Sequence, residues 1–321
     1  MCGIAGKVYF NKRSVTPGQL KAMSDKILHR GPDDSGIYIS RDRKVGLVNR
    51  RLAIIDLTSA GHQPMLYKNR YVISYNGEVY NFQEERQKLE KEGYKFSSNT
   101  DTEVVLALYD KYGLGCLKRL RGMFAFAIYD DREKTIFLAR DRIGKKPLKY
   151  YLDGQVFIFA SELKAILTQP EIHRVVDDQA IQSYLIFGYA PSPLTGFEGI
   201  SKLEPGHYLI MNLKRKSFEK KRYWEPLFNK KLDLSEKEWG DKILSTLEEA
   251  TKLRMISDVP IGAFLSGGVD SSGVVACMSK FSDKPIKTFT IVFKDKDWSE
   301  DKYADNIAKR YKTDHHELLA R

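Results

Sequence analysis

Met1-Cys2-Gly3-Ile4 opens the chain. With the initiator methionine trimmed, Cys2 becomes the first residue and carries a thiol and a free α-amine together. An α-amine has an ordinary pKa of about 7.7–8.0, so part of it is an unprotonated base at neutral pH. This is the arrangement of an N-terminal nucleophile: the thiol attacks, and the amine handles the proton directly or through a water. A lone cysteine is more often inert packing, so the nucleophile reading stands only if the rest of the chain supplies partners for the thiol.

A length of 321 residues suggests two domains. At 42% hydrophobic and 30% charged residues, the composition is that of an ordinary globular protein. No apolar run approaches the roughly 18 residues of a membrane helix, and Lys7, Asn11, Lys12 and Arg13 interrupt any signal-peptide core. Cys2, Cys116 and Cys277 are odd in number and far apart. They make neither a disulfide framework nor a Cys-rich zinc site, and the expected location is a reducing cytoplasm. His315-His316-Glu317 reads as structural, because neighbours in a strand face opposite ways. The net charge of +11 comes from scattered clusters with acidic residues interleaved. No nucleic-acid motif accompanies it, so a solvated surface and anionic small-molecule substrates account for it better than a nucleic acid or a membrane.

Ile4 to Phe10 reads as a first strand that holds Cys2 at a sheet edge, followed by a polar helix from Pro17 to Leu28. His29-Arg30-Gly31-Pro32-Asp33-Asp34-Ser35-Gly36 reads as a turn-rich loop. The strand Val45–Asn49 leads into Arg50-Arg51-Leu52-Ala53-Ile54-Ile55-Asp56, where an arginine either clamps a carboxylate with two prongs or forms a surface ion pair. Tyr71–Tyr75 ends in Asn76-Gly77-Glu78-Val79-Tyr80-Asn81. Asn-Gly is either a turn or a pair of donors for a developing oxyanion. A helix from Phe82 to Glu92 follows, and then Thr100 or Asp101 caps the helix Glu103–Tyr112; Asp101 is also suited to an ammonium group. Hairpin strands Met123–Tyr129 and Thr135–Arg140 run through Arg140-Asp141-Arg142-Ile143-Gly144 into Pro147–Tyr151 and Val156–Ala160. Many strands with few helices suit sheet layers covered by helices.

Met1-Cys2-Gly3-Ile4, His29-Arg30-Gly31-Pro32-Asp33, Arg51-Leu52-Ala53-Ile54-Ile55-Asp56, Asn76-Gly77-Glu78-Val79-Tyr80-Asn81, Asp101-Thr102-Glu103, Gly122-Met123-Phe124-Ala125-Phe126 and Arg140-Asp141-Arg142-Ile143-Gly144 occur in the order found in class II glutamine amidotransferases. The chain most resembles the glutamine-hydrolysing asparagine synthetases. The resemblance implies an α+β, four-layer αββα N-terminal-nucleophile domain. It implies that Cys2 attacks the glutamine side-chain amide to form a glutamyl thioester, with Asn76 and the Gly77 N–H as the oxyanion hole. It further implies that Arg51 holds the glutamine α-carboxylate and Asp101 its α-ammonium, with Ile54 and Glu78 also at the ligand. Lys149 departs from the tyrosine usual in the family's Pro-Leu-Tyr-Tyr stretch.

Ser161–Leu167 and Asp177–Gly188 read as further helices. The basic, polar stretch 214–231 marks a connection, giving a first domain at 2–210, a linker at 211–234 and a second domain at 235–321. That domain begins with a helix, Glu236–Arg254, carrying Ile243, Leu244, Leu247, Ala250 and Leu253 at helical spacing. A buried-type strand, Ile261–Leu265, feeds Ser266-Gly267-Gly268-Val269-Asp270-Ser271-Ser272 and an apolar helix, Gly273–Met278. Strand, glycine-hydroxyl loop and helix N-terminus together favour phosphate, although the loop lacks the Gly-Lys-Ser/Thr of a Walker A. Ile286–Phe293, Glu300–Tyr311 and His315–Leu319 continue an α/β parallel sheet.

The Ser-Gly-Gly-x-Asp-Ser-Ser string is similar to the pyrophosphate loop of N-type ATP pyrophosphatases, which cleave ATP to AMP and pyrophosphate. That resemblance implies ATP contacts at Leu265, Ser266, Gly267, Gly268, Asp270, Ser271, Ser272 and Ile291, with Asp270 helping to hold Mg²⁺. The implied reaction takes ammonia released from glutamine to a β-aspartyl-AMP and yields asparagine. The partners would be glutamine, aspartate and ATP, with a homodimer as the candidate assembly. A different carboxylate acceptor, on a sugar, peptide or secondary metabolite, keeps the same chemistry, and a glutaminase acting alone is a further reading. A non-catalytic basic binding protein would not need Cys2, Arg51, Asn76, Gly77 and Asp101 together. The resemblance also implies that the second domain is C-terminally incomplete.

Overall fold

The computed structural model describes residues 1–229, 231–294 and 301–320. They form two compact units, Met1–Pro226 and Leu227–Arg321. Lys230 of the expected linker, the helix start expected at Glu300, and Arg321 lie outside the described residues.

The first unit runs β1 (Gly3–Tyr9), α1 (Pro17–Lys26), β2 (Asp34–Ile39), β3 (Val45–Arg51), β4 (Met65–Tyr67), β5 (Tyr71–Val79), α2 (Phe82–Lys91), α3 (Asp101–Tyr112), β6 (Gly122–Asp130) and β7 (Thr135–Arg140). It continues with β8 (Lys149–Leu152), β9 (Val156–Ala160), α4 (Leu163–Ile166), α5 (Asp178–Phe187), β10 (Ile200–Lys202), β11 (His207–Asn212) and β12 (Ser217–Arg222). Two six-stranded sheets result, ordered β10-β8-β9-β1-β3-β2 and β12-β11-β7-β6-β5-β4.

Alternation along the strands builds the layers. Ile4 and Val8 of β1 and Phe157 and Phe159 of β9 face Val72, Ala127, Ile136, Leu138 and Leu209 of the other sheet. Their neighbours Ala5, Tyr9, Val156 and Ile158 face Leu20, Met23 and Ile166 of the outer helices. A side-chain period of two therefore gives each of these strands two apolar faces. On the far side, α3 sets Tyr109 on Phe137 with ring centroids 5.3 Å apart. The order is helix, sheet, sheet, helix.

Four strands of the first unit, β2, β4, β10 and β12, differ from the sequence reading, and β10, paired on β8, is only three residues long. The turn-rich loop expected through Gly36 contains the start of β2, whose edge position leaves alternate side chains exposed and gives no apolar signal. The three-residue β4 is too short to show a period. Within the range read as linker, Ser217–Arg222 pairs antiparallel with β11 as a fully exposed edge strand. The first unit thus extends to Pro226, beyond the boundary drawn at residue 210. A solvated edge strand and a linker have the same polar composition, and only the ladder separates them.

The second unit has α6 (Glu236–Arg254), β13 (Gly262–Phe264), α7 (Val269–Lys280), β14 (Lys287–Val292), α8 (Asp301–Tyr311) and β15 (Asp314–Leu319). Its strands are parallel in the order β13-β14-β15. Leu265, Val275, Ala304 and Ala308 form its core. The strand read as buried is an edge strand with Gly262 and Phe264 exposed; only Leu265, just after it, is buried.

Candidate active site

Cys2 precedes β1, whose Gly3 is registered against Arg50 of β3, so the thiol lies beside the chain leaving β3. The Leu52 amide donates to Cys2 Sγ at 3.4 Å, and the thiol points back at the Leu52 carbonyl at 3.6 Å. Arg30 Nε donates to the Cys2 carbonyl at 2.9 Å, and its Nη1 reaches Glu162 at 2.9 Å. Asp33 accepts from the Ala53 amide at 2.9 Å. The loop 29–33 thereby holds both Cys2 and the chain beyond Arg51, a role its turn composition did not reveal.

Arg51 is buried, and its guanidinium donates to the carbonyls of Thr58, Ile55 and Asp56. It is not a surface ion pair: a loop wraps it. Asp56 closes that loop from a φ of +56°, accepting from Thr58 and from the Asn99 amide at 2.8 Å. Gly61 leaves room for the guanidinium, since a Cβ there would lie 2.0 Å from Arg51 Nη2.

Asn76-Gly77-Glu78 is not a turn. It continues β5, registered against Ala125, Phe124 and Met123 of β6. Asn76 is buried, and neither atom of its side-chain amide has a partner. A buried unpaired amide costs about 1–3 kcal/mol, which a ligand oxygen can offset. The helix cap also resolves into one residue: Thr100 Oγ1 caps α3 by accepting from the Glu103 amide. Asp101 is left to accept from the Tyr75 hydroxyl at 2.6 Å and the Val79 amide at 2.8 Å.

A narrow pocket collects Cys2, Arg51, Ile54, Gly77, Glu78 and Asp101, with Leu52, Ile55, Gln63, Tyr75, Thr100 and Thr102. Sequence reasoning did not single out Gln63 or Tyr75. Gln63 accepts from Asn49 at 3.1 Å and from the Tyr75 amide at 2.8 Å, and donates to Thr102 at 3.3 Å, tying β3, β5 and α3 together. Its distance in sequence from every motif hid it.

Burial pushes the Cys2 thiol up, opposed by the Leu52 hydrogen bond and the terminal amine, which in this chain belongs to Met1. Burial lowers that amine's pKa. Glu78 is pushed up to about 8, by burial and then by Asp101, with Lys146 opposing. Burial likewise raises Asp101, against the Tyr75 and Val79 hydrogen bonds. A pocket holding two carboxyls at elevated pKa is primed for a cation between them.

In the second unit, residues 265–268 join β13 to α7, and residues 269–272 form the first turn of that helix, which starts four residues before the Gly273 expected from the sequence. Ser266 and Ser271 hydroxyls lie 3.1 Å apart, and Ser271 Oγ donates to the Gly268 carbonyl at 3.2 Å. Gly267 has φ +79°, where a side chain is strained. Gly268 starts α7 without a side-chain cap, and Ser272 Oγ is buried with no partner. Those free helix-end donors and the orphaned hydroxyl fit a phosphate group. Leu265, Ser266, Ser271 and Ile291 line one cavity with Phe264, Phe289, Thr290 and Phe293. Asp270 lies in the first turn of α7. No group of three or more metal-ligating side chains occurs among the described residues.

The glutamine amidotransferase domain family model matches residues 1–224, and the asparagine synthase model matches 242–321. A Methanocaldococcus jannaschii chain assigned as glutamine-hydrolysing asparagine synthetase 2 is 41% identical over 98% of this chain and 64% of its own length. Glutamine-hydrolysing asparagine synthetase 3 of Bacillus subtilis is 38% identical over 92% of this chain and 49% of its own. The chain thus spans about half to just under two thirds of these relatives. The B. subtilis glutamine phosphoribosylpyrophosphate amidotransferase structure superposes with a TM-score of 0.50 at 17% identity, covering 98% of this chain and 65% of its own, a likeness of fold. Among the described residues no helix is long and apolar enough to cross a membrane.

Proposed function

This chain belongs to the glutamine amidotransferase domain family, and from that premise we propose that it releases ammonia from glutamine at Cys2 for ATP-dependent asparagine synthesis. The observation that carries the first half is the buried, unpartnered Asn76 amide in the strand beside the Cys2 pocket. The Cys2 sulfur attacks the glutamine side-chain carbonyl carbon. Negative charge collects on the carbonyl oxygen, where Asn76 Nδ2 and the Gly77 N–H are the intended donors. The α-amine that Met1 removal exposes on Cys2 takes the thiol proton and passes it to the amide nitrogen, the C–N bond breaks, and the nitrogen leaves as ammonia. Water then cleaves the thioester to glutamate and regenerates the thiol. Arg51, fixed by its three carbonyls, takes the glutamine α-carboxylate, while Asp101 and Glu78 take the α-ammonium; Ile54 lines the pocket.

In the second unit, Ser266, Gly267, Gly268, Ser271 and Ser272 hold the phosphates of ATP, with Leu265 and Ile291 at the base and Asp270 at Mg²⁺. The aspartate side-chain carboxylate attacks the α-phosphate of ATP and pyrophosphate leaves; ammonia then attacks the resulting acyl adenylate, AMP leaves, and asparagine forms. The domain limits follow as a glutaminase domain, a connection and an ATP-pyrophosphatase region.

Two measurements test this. Glutamate release from glutamine is expected from the chain with Met1 removed and is expected to vanish in Cys2→Ala; equal rates would remove the nucleophile from the account. Aspartate-dependent exchange between pyrophosphate and ATP is expected from a protein of the relatives' full length. Exchange that ignores aspartate but responds to another carboxylate would replace the acceptor and leave the glutaminase half standing.

A further inference from the structure

Ser161 and Glu162 lie between β9 and α4 and have no task in the chemistry above. Ser161 is turned onto the start of the chain: its amide donates to the Ile4 carbonyl at 2.9 Å, and its hydroxyl accepts from the Ile4 amide at 3.0 Å. Glu162 stands at the cap position of α4, yet its carboxylate makes no cap bond to that helix. It faces Arg30 instead, accepting from Nη1 at 2.9 Å, while Arg30 Nε donates to the Cys2 carbonyl at 2.9 Å. Gly3 lies under the same arginine, where a Cβ would come 3.2 Å from Arg30 Cδ. Residues 2–4 are thus gripped by residues 30, 161 and 162. The strand β1 begins at Gly3, so Cys2 precedes it and depends on this grip for the direction of its peptide plane.

Glu162 also lies 2.9 Å from His29 Nε2 and 3.0 Å from Lys164 Nζ. Burial separates these contacts. The His29 and Lys164 side chains are 53% and 47% exposed, so their pairs with Glu162 contribute little. The Arg30 side chain is 9% exposed, and its Nη2 is buried with no partner. Removing the carboxylate from a cation so placed is strongly unfavourable. Without Glu162 the guanidinium gains by swinging out to water, and the Cys2 carbonyl loses its donor. Burial works against the charge on Glu162, but Arg30, Lys164 and His29 hold its carboxyl down at about 2, so it is ionised at neutral pH.

We propose that Glu162 is a positioning residue for the nucleophile: it holds the Arg30 guanidinium on the Cys2 carbonyl and, with Ser161, fixes residues 2–4 so that the Cys2 sulfur stays beside the Leu52 amide. It acts through Arg30 and is not among the residues that line the Cys2 pocket. Its consequence for turnover rests on the glutaminase reading, while its hold on the Cys2 carbonyl does not. The peptide unit is planar, so a held carbonyl leaves one torsion between that plane and the Cys2 Cα. That torsion limits where the thiol, and the amine exposed by Met1 removal, can point. A misplaced attacking atom slows the attack without changing how Arg51 and Asp101 bind glutamine.

The test uses the full chain, with Met1 removal confirmed by intact mass and its cysteines labelled with carbon-13 at the carbonyl. Cys2, Cys116 and Cys277 each give one carbonyl signal, and the one missing from Cys2→Ala belongs to Cys2. Glu162→Leu should move that signal upfield, toward its position in Arg30→Met, because the carbonyl has lost its donor. Glu162→Gln keeps an acceptor for Nη1 and should move it less in the same direction; it becomes the deciding variant where near-UV circular dichroism shows Glu162→Leu unfolded. In glutamate release, kcat should fall about tenfold in Glu162→Leu, with KM for glutamine within about twofold of wild type. The double variant Glu162→Leu/Arg30→Met should be no slower than Arg30→Met. A Cys2 signal at the wild-type position in the deciding variant overturns the proposal, as do losses that multiply in the double variant. A wild type that releases no glutamate removes the glutaminase reading, and the carbonyl signal then decides the proposal by itself.

Discussion

Tyr75 donates its hydroxyl to Asp101 at 2.6 Å, joining the middle of β5 to the first turn of α3 inside the wall of the Cys2 pocket. Both residues are buried. The bond orients a carboxylate that the helix cap does not use, so it sets where a substrate ammonium can sit. Tyr75→Phe keeps the ring and removes the donor. Steady-state kinetics should show KM for glutamine rising about tenfold, equivalent to about 1.4 kcal/mol, with kcat little changed. An unchanged KM would mean that the Val79 amide suffices to aim Asp101.

Asn76 should separate activity from stability. Its amide is buried with no partner in the free protein, so Asn76→Ala removes an unsatisfied group whose burial costs about 1–3 kcal/mol. The expected pairing is a loss of about 10²–10³ in kcat for glutamine hydrolysis with a thermal midpoint equal to or above wild type. Retained activity beside a lowered midpoint would make Asn76 a structural residue.

Glu78 makes stability depend on pH. Its folded pKa of about 8 lies above the ordinary 4.5, so between those values the folded chain holds a proton that the unfolded chain has lost. Stability on this account is highest at or below 4.5 and declines as pH rises to about 8. Glu78→Gln cannot ionise. Urea midpoints should therefore show the variant gaining on wild type between those pH values, and parallel profiles would refute the assignment.

Lys149 works in the opposite sense. Burial and the neighbouring cations Arg140 and Lys202 push it down to about 8 from 10.5, while its amine donates to the Ser161 carbonyl at 3.0 Å. The unfolded chain holds the extra proton between those values, so wild type gains stability as pH rises from about 8 to 10.5. Against Lys149→Met, wild type should improve over that range in denaturant titrations. A constant difference would show that Lys149 is solvated like a surface lysine.

Much of the site was legible in the sequence because it lies in short strings. Cys2, Arg51, Ile54, Gly77, Glu78 and Asp101 each sit in a motif, and the structure brings all six to one pocket. Gln63 and Tyr75 line the same pocket without a motif around them, because their work is to bridge elements far apart in the chain. The Asn-Gly pair and the Thr100/Asp101 cap each had two local readings. The register of β5 on β6 ruled out a turn at the first, and the Thr100 hydroxyl's bond to the Glu103 amide identified the cap at the second.

The sequence by itself determined sheet layers covered by helices in the first unit and a parallel-stranded second unit, and its motifs in order carried the resemblance to the glutamine amidotransferases. The layers follow from strand alternation and helix signals, and the resemblance from motif order, all encoded in short strings. Only the tertiary structure decided that 217–222 is a strand, that Arg51 is wrapped by its own loop, and that Gln63 ties β3, β5 and α3 together. Each of these depends on which partner a backbone or side-chain polar group meets once the chain is packed, as with the ladder of 217–222 on β11 and the carbonyls turned onto the Arg51 guanidinium. The composition of such a segment is the same whether or not those bonds form, so it carries no trace of them.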